Sequence, residues 1–400
     1  MKRILFIVEK DFLSLHVGVA RVILYYAKGL LSDGAAVDFA YADDNGLHLG
    51  ALVERSKISK RRAMIPLPWY ASSGKSSQAM PPLTGSAARF EIAWSKELVD
   101  PQLYDANVVT APWICVNPLP PLPRVVGIIY DLVPNLAVAG CLRLPFWVGL
   151  QEFAVQHDAG FRYYLANAER ILCISQSTRK DFLAMYKTAE WFSERILVDV
   201  PYTHESCEIE ESFSWFDEGQ AEKFSKNTVL LVNALDWRKG LDVIQDVLVR
   251  AARRLNFNVV IVGKERIPMA AVEQFFSALE AVGLQISWWR YANDEVLNAC
   301  YGNSRTLLFP SVYEGLGLPV LEAQSAGLPV ITSNSSSFPE INLNEELCVD
   351  LKRIDMMVEK LIQCMDHDQS KITRGGKLQK LAASRFSNRL SFIDRILAAS

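Results

Sequence analysis

The chain has 400 residues, 50% of them hydrophobic and 22% charged, with a formal net charge of −3. That length suggests two or three domains with real cores, and the near-neutral balance argues against a nucleic-acid-binding protein as a whole. The seven cysteines (115, 141, 173, 207, 300, 348 and 364) are scattered and form no C-x-x-C, which reads as reduced thiols in a cytosolic protein, without a disulfide framework or zinc site. The apolar run after Lys2-Arg3 is too short for a signal peptide and meets Glu9 at once. No run approaches the roughly 18 apolar residues of a spanning helix.

Ile4 to Val8 is a continuous apolar run, the first strand of a parallel sheet. A loop from Glu9 to Val17 leads to Gly18, which opens a helical pattern over Val19–Leu31, and Val37–Tyr41 is the second strand. Strand, glycine-bearing loop, helix, strand is a Rossmann-type beginning, although no G-x-G-x-x-G is present. Arg55 to Tyr70 mixes Arg55, Lys57, Lys60, Arg61 and Arg62 with Met64, Ile65, Trp69 and Tyr70. Such a segment can lie on an anionic membrane surface, or be a solvated loop. Ser72–Ser86 reads as a connection rich in Ser, Gly and Pro. Ala106–Thr110 and Arg124–Tyr130 are further strands, and Asp131 follows the second, at the strand end where ligands bind in open α/β sheets.

Phe146–Leu165 is a long apolar-periodic helical segment carrying His157 and Asp158, more simply read as core or surface residues than as a catalytic pair. Arg170–Ser175 is a strand, Gln176-Ser177-Thr178 opens a capped helix, and Arg195–Val200 is the last strand of this half. Residues 203–227 are polar and acidic without periodicity and read as a linker. A strand over Thr228–Leu235 restarts the pattern, followed by the loop Asp236-Trp237-Arg238-Lys239-Gly240 and a helix over Leu241–Arg254. Two adjacent cations at the end of a buried strand can neutralise a pyrophosphate. Phe257–Val262 and Leu284–Arg290 are strands, Asp294–Tyr301 and Ile354–Met365 helices, and residues 376–400 lie in a basic helical stretch with an apolar stripe.

The most informative stretch runs from Thr306 to Glu340. A buried strand, Thr306–Phe309, leads into the turn Glu314-Gly-Leu-Gly-Leu-Pro319, a short helix over Val320–Ala326 and a second strand over Leu328–Thr332. Pro319 suits the first helical position and Gly327 the cap. A helix start favours phosphate through its unpaired N–H groups and dipole. Gly315 and Gly317 allow close backbone approach. Glu314 stands before the turn, and Glu322 is expected in the first turn of the helix; carboxylates can accept hydrogen bonds from sugar or ribose hydroxyls.

Glu314 and Glu322, with PSVYEGLGLPVLEAQSAGLPVITSNSSSFPE around them, resemble the E-x7-E signature of the retaining glycosyltransferases of family four. The resemblance implies a GT-B fold: two Rossmann-like domains, residues 1–202 on the acceptor side and residues 228–375 binding a nucleotide sugar, facing each other across a donor-binding cleft, with residues 376–400 crossing back to the first. It implies that Glu314 addresses the donor sugar, Glu322 the ribose, and the backbone of Gly315, Leu316, Gly317 and Leu318 the donor. Lys239 matches the lysine that grips the diphosphate, and Arg238 stands in for an arginine whose place is Ala234. Gly18 matches a glycine facing the donor phosphates or acceptor, and Tyr291 lies where the backbone binds the nucleobase. Many relatives carry a histidine immediately before Asp131, near the reacting sugar, which makes Asp131 and the residue before it catalytic candidates; here Tyr130 occupies that place, as a hydrogen-bond donor or only a strand-end aromatic.

The activity so implied is retaining transfer of a hexose or deoxyhexose from a nucleoside-diphosphate sugar to a glycan or lipid-linked acceptor in cell-surface polysaccharide synthesis. It would be cytoplasmic, with possible contact at the inner membrane face through residues 55–70. No metal or other cofactor is expected. Asp366-His367-Asp368 is literally D-x-D, but it follows a helix rather than a buried strand. A nucleotide-sugar epimerase on the same fold, or a non-catalytic nucleotide-sugar binder, are the competing readings.

Overall fold

The computed structural model describes residues 1–15, 17–54, 90–116, 119–144, 149–187, 190–201, 227–290, 292, 294–366 and 391–397. Its described residues fall into two compact units, each with its own sheet. The basic-aromatic segment 55–70, Tyr291, the linker over 203–226 and the central part of the D-x-D motif lie outside the described residues.

The first unit is built on an eight-stranded sheet ordered β4-β3-β2-β1-β5-β6-β7-β8. Its strands are β1 (Arg3–Ile7), β2 (Ala36–Asp43), β3 (Gly46–Glu54), β4 (Phe90–Leu98), β5 (Ala106–Val109), β6 (Val125–Ile129), β7 (Ala168–Cys173) and β8 (Ile196–Val198). The pairings from β2 through β8 are parallel, and their strands are short apolar runs because both faces are covered. The helix Val17–Ser32 packs Ala20, Ile23, Ala27 and Leu30 inward, the spacing that gives a helix one buried face. Toward the chain end, the short helix Phe392–Ile396 belongs to this same unit. Arg395 there donates to Asp199 at 2.9 Å with both groups buried, and Phe392 lies edge-on to Tyr25 at 5.1 Å.

The antiparallel pair β3 and β4 was not expected from the sequence. β3 offers only weak alternation, and Gly50 sits in it because a Cβ there would come within 2.4 Å of the Trp94 ring. The missed signal was Asn45-Gly46, a strong two-residue hairpin cue. The Asn45 N–H donates to Asp43 at 2.8 Å, and Gly46 has φ 130°.

The second unit holds a six-stranded, wholly parallel sheet ordered β11-β10-β9-β12-β13-β14. These are β9 (Thr228–Val232), β10 (Asn258–Val262), β11 (Gln285–Trp289), β12 (Thr306–Phe309), β13 (Val330–Ser333) and β14 (Cys348–Val349). The helices Leu241–Ala252 and Ile354–Met365 bury apolar stripes, as their periodicity implies. The helix Met269–Glu280, not anticipated, buries Val272, Phe275, Phe276 and Leu279 at helical spacing. In each sheet the strand order reverses once, beside β1 in the first and beside β9 in the second. The loops leaving the carboxyl ends there are where open α/β sheets bind ligands.

Candidate functional site

Two loops leave the switch point of the second sheet. The one after β9 ends in a 3-10 turn, Trp237–Lys239, with the Asp236 carboxylate accepting the Arg238 N–H at 2.9 Å. Gly240 closes the turn at φ 75°, and a Cβ there would lie 2.4 Å from the Pro310 carbonyl oxygen. Only glycine lets the Lys239 loop sit this close to the loop after β12. The two loops are then stitched together: the Val312 N–H donates to the Arg238 carbonyl at 2.8 Å, and Ser311 Oγ lies 2.9 Å from the same carbonyl.

This stitching brings Arg238, Lys239 and Glu314 into one buried cluster. Lys239 Nζ lies 2.5 Å and Arg238 Nη1 3.1 Å from Glu314 Oε1, and Ser311 Oγ donates to the same oxygen at 2.6 Å. Arg238 also donates to the Tyr313 carbonyl at 2.8 Å, and the Lys239 ammonium sits over the Phe309 ring, 4.8 Å from its centre. Burial pushes the Lys239 ammonium down, to about 8, with neighbouring Arg238 in the same direction and Glu314 opposing. Burial opposes ionisation of Glu314, but Arg238 and Lys239 together outweigh it and hold the carboxyl at about 2. At neutral pH the cluster is therefore a carboxylate between two cations. Asp236 adds a further, smaller opposing influence on Lys239. Such a site has positive charge to offer an anion in a low-dielectric setting.

The helix after the turn spans Leu318–Ser325, with Gly317 at its N-cap (φ 95°) and Pro319 in the first turn. Gly315, Leu316 and Gly317 are buried, whereas Leu318 is half-buried. The turn is clamped by serines that sequence reading passed over. The Glu314 N–H donates to Ser336 Oγ at 2.9 Å, and Ser337 Oγ donates to the Leu316 carbonyl at 2.7 Å. Glu322 does not stand in the first turn, as expected, but is the fifth residue of the helix, because the helix starts two residues earlier than the sequence suggested. It is buried and accepts a 2.8 Å hydrogen bond from the Tyr301 hydroxyl, a partner that no spacing within the motif reveals. Ala234, at the place of the absent arginine, is buried.

The remaining candidates lie in the first unit. Gly18 is the second residue of the helix Val17–Ser32, exposed, with nothing within 4 Å of a Cβ placed there, so packing does not require glycine. Tyr130 and Asp131 follow β6. The Tyr130 hydroxyl is buried without a hydrogen-bond partner among the described residues, and burial drives its pKa far up. Asp131 is half-exposed and accepts the Val133 N–H at 3.0 Å. Among the described residues no three His, Cys, Asp or Glu side chains group as metal ligands would, and no helix is long and apolar enough to cross a membrane.

Two solved structures share the fold over nearly the whole chain. The Anabaena protein HepE, solved with UDP-glucose, matches 99% of this chain and 98% of its own at a TM-score of 0.61 and 14% identity. WaaG, a glycosyltransferase involved in lipopolysaccharide biosynthesis, matches 99% of this chain and all of its own at a TM-score of 0.57 and 18% identity. The fold is GT-B, with two Rossmann-like units. Residues 215–377 match the family model described as glycosyl transferases group 1. Among curated proteins, the serotype-specific mannosyltransferase WbdA of Escherichia coli is 25% identical over 207 residues. That match covers 49% of this chain and 24% of WbdA, so the chain spans about a quarter of the relative's length.

Proposed function

We propose that the chain is a retaining hexosyltransferase that moves a hexose or deoxyhexose from a nucleoside-diphosphate sugar to a glycan or lipid-linked acceptor, in the synthesis of a cell-surface polysaccharide. The observation that carries this reading is the buried Glu314 carboxylate held between Lys239 and Arg238 at the switch point of the second sheet. In this reading Lys239 and Arg238 take the diphosphate and stabilise it as it leaves, acting as fixed electrostatics without a metal. Glu314 faces the donor sugar, Glu322 the ribose, and the backbone from Gly315 to Leu318 the donor's phosphates. From the first unit, Asp131 and Tyr130 act at the reacting sugar and Gly18 faces the donor phosphates or the acceptor, while Tyr291 meets the base through its backbone. No covalent intermediate forms in this reading; the departing phosphate helps remove the acceptor's proton on the face it leaves. The reaction takes place on the cytoplasmic side, with residues 55–70 available to touch an anionic membrane.

The mannosyltransferase relatives and the UDP-glucose complex of HepE set the first donors to try. The test is a melting-temperature screen against UDP, GDP, ADP and TDP sugars, because a ligand that binds only the folded state raises apparent stability. It is followed by product analysis with glycan and lipid-linked acceptors. A stabilising donor, acceptor-dependent release of its nucleoside diphosphate and a product of unchanged anomeric configuration are expected. Inversion at the anomeric carbon would refute retention. Sugar conversion without an acceptor would point to an epimerase instead.

A further inference from the structure

A second polar cluster sits in the first unit, at the carboxyl ends of β5 and β6. The helix Leu150–Asn167 is pressed onto these strand ends at three places. Gly160 packs so closely that a Cβ there would lie 2.0 Å from the Pro112 carbonyl oxygen. The Tyr164 hydroxyl donates to the Val109 carbonyl at 3.0 Å, and Asn135 Nδ2 donates to the Ala154 carbonyl at 3.1 Å. Between these anchors, the His157 ring stacks on Trp113 at 5.2 Å and 19°, with Phe161 edge-on at 5.7 Å. His157 is only 7% exposed.

The cluster is unusual in what it leaves unmade. His157 Nδ1, Asn135 Oδ1 and the Tyr130 hydroxyl are all buried without a hydrogen-bond partner among the described residues. Buried polar atoms normally find partners, and each one that does not costs about 1–3 kcal/mol. Burial lowers the His157 pKa, with Asp131 close enough to oppose that shift. The imidazole is therefore mostly neutral at pH 7. A neutral imidazole carries one donor and one acceptor, which suits a hydroxyl and not a phosphate. Half-exposed Asp131 beside it is acceptor-only when ionised, and suits the hydrogen of a neighbouring hydroxyl.

We propose that this cluster is a hydroxyl-recognition site for one sugar ring, with His157 and Asp131 hydrogen-bonding adjacent ring hydroxyls and Trp113 and Asn135 positioning the imidazole and its helix. The inference rests on the sugar-transfer reading of the chain, and it adds His157 as a binding residue on the first unit. A carboxylate and a neutral imidazole side by side discriminate a ring with two neighbouring hydroxyls from one lacking either, because a missing hydroxyl leaves a buried group unpaired.

The test uses the full chain and saturation-transfer NMR with methyl α-mannopyranoside, methyl α-glucopyranoside and methyl α-rhamnopyranoside as probes. UDP and GDP affinities are measured on the same samples. At least one glycoside is expected to bind the wild type. His157→Phe, which keeps an aromatic ring against Trp113 but has no nitrogen, should weaken that binding about five- to tenfold, the loss of one hydrogen bond. His157→Gln, which restores hydrogen bonding without the ring, should lie between the two, and nucleotide affinity should be unchanged in both. Glycoside binding by neither wild type nor variants, or undiminished binding in His157→Phe, overturns the site. Equal losses in both variants with a lowered melting temperature assign His157 to packing, and overturn it too. Absence of nucleotide binding in the wild type would instead count against the transferase reading, with the glycoside result standing apart from it.

Discussion

The carboxyl ends of the two sheets are built from opposite materials. In the second unit, Arg238, Lys239, Ser311 and Glu314 are buried and tightly paired, with two cations and a hydroxyl on one carboxylate oxygen. In the first, Tyr130, Asn135 and His157 are buried with polar atoms left unpaired among the described residues, and the charge nearby is a half-exposed aspartate. A buried charge cluster carries a desolvation cost that its close pairing offsets, and it can exchange a partner for an incoming anion. Unpaired neutral atoms are a standing cost that a hydroxyl-bearing ring would remove. In the proposed reading one end takes a diphosphate and the other a sugar, and each can be broken without touching the other.

The largest effect should come from Glu314→Gln. Removing the central carboxylate while keeping its shape should lower the transfer rate by about 10²–10³, the scale of losing one preorganised electrostatic group. Steady-state kinetics with a donor found in the screen measures it, and near-normal turnover would remove Glu314 from the chemistry.

An acid titration separates the two ends next. The folded pKa of Glu314 is depressed to about 2 from the usual carboxyl value of 4.5. Its stabilisation is therefore fully present above about pH 4.5 and is lost as pH falls toward 2. That window is worth on the order of 3 kcal/mol for such a shift. Urea unfolding from pH 5 to pH 2.5 should show the slope in the wild type and a flatter profile in Glu314→Gln; equal slopes would mean the carboxylate is not held as its contacts imply. The smallest effect belongs to Tyr301→Phe. It deletes the 2.8 Å hydrogen bond to buried Glu322 and should weaken UDP or GDP binding about fivefold, near 1 kcal/mol, with a loss of stability of similar size because a buried carboxylate loses a partner. An unchanged nucleotide affinity would separate Glu322 from the donor.

The two ends were also unequally legible. The repeated strand, loop and helix pattern exposed both sheets, since their parallel strands are short apolar runs between turn residues. Glu314, Lys239 and Arg238 could be picked out because a glycine turn and a cation pair follow buried strands directly. The serine clamp of Ser311, Ser336 and Ser337 was not legible, because its partners are backbone carbonyls and amides brought together by β9, β12 and β13. Tyr301 was hidden for the same reason, lying 21 positions from Glu322. His157 was noticed only beside Asp158, its neighbour in sequence. The helix instead brings it near Asp131, while Asp158 pairs with Arg162 at 2.7 Å and accepts from Tyr186 at 3.0 Å. The β3–β4 pair escaped because its alternation is weak and its turn signal was passed over.

The most direct test of the charged end is isothermal titration of UDP and GDP into the wild type and Lys239→Met between pH 7 and pH 9.5. Burial brings the Lys239 ammonium to about 8, so it loses its proton within that range. The wild type should bind at least one nucleoside diphosphate, about ten- to a hundredfold more tightly than the variant at pH 7, with an advantage that shrinks as the ammonium deprotonates. Equal affinities for wild type and variant, at every pH, would contradict a diphosphate site at the switch point of the second sheet.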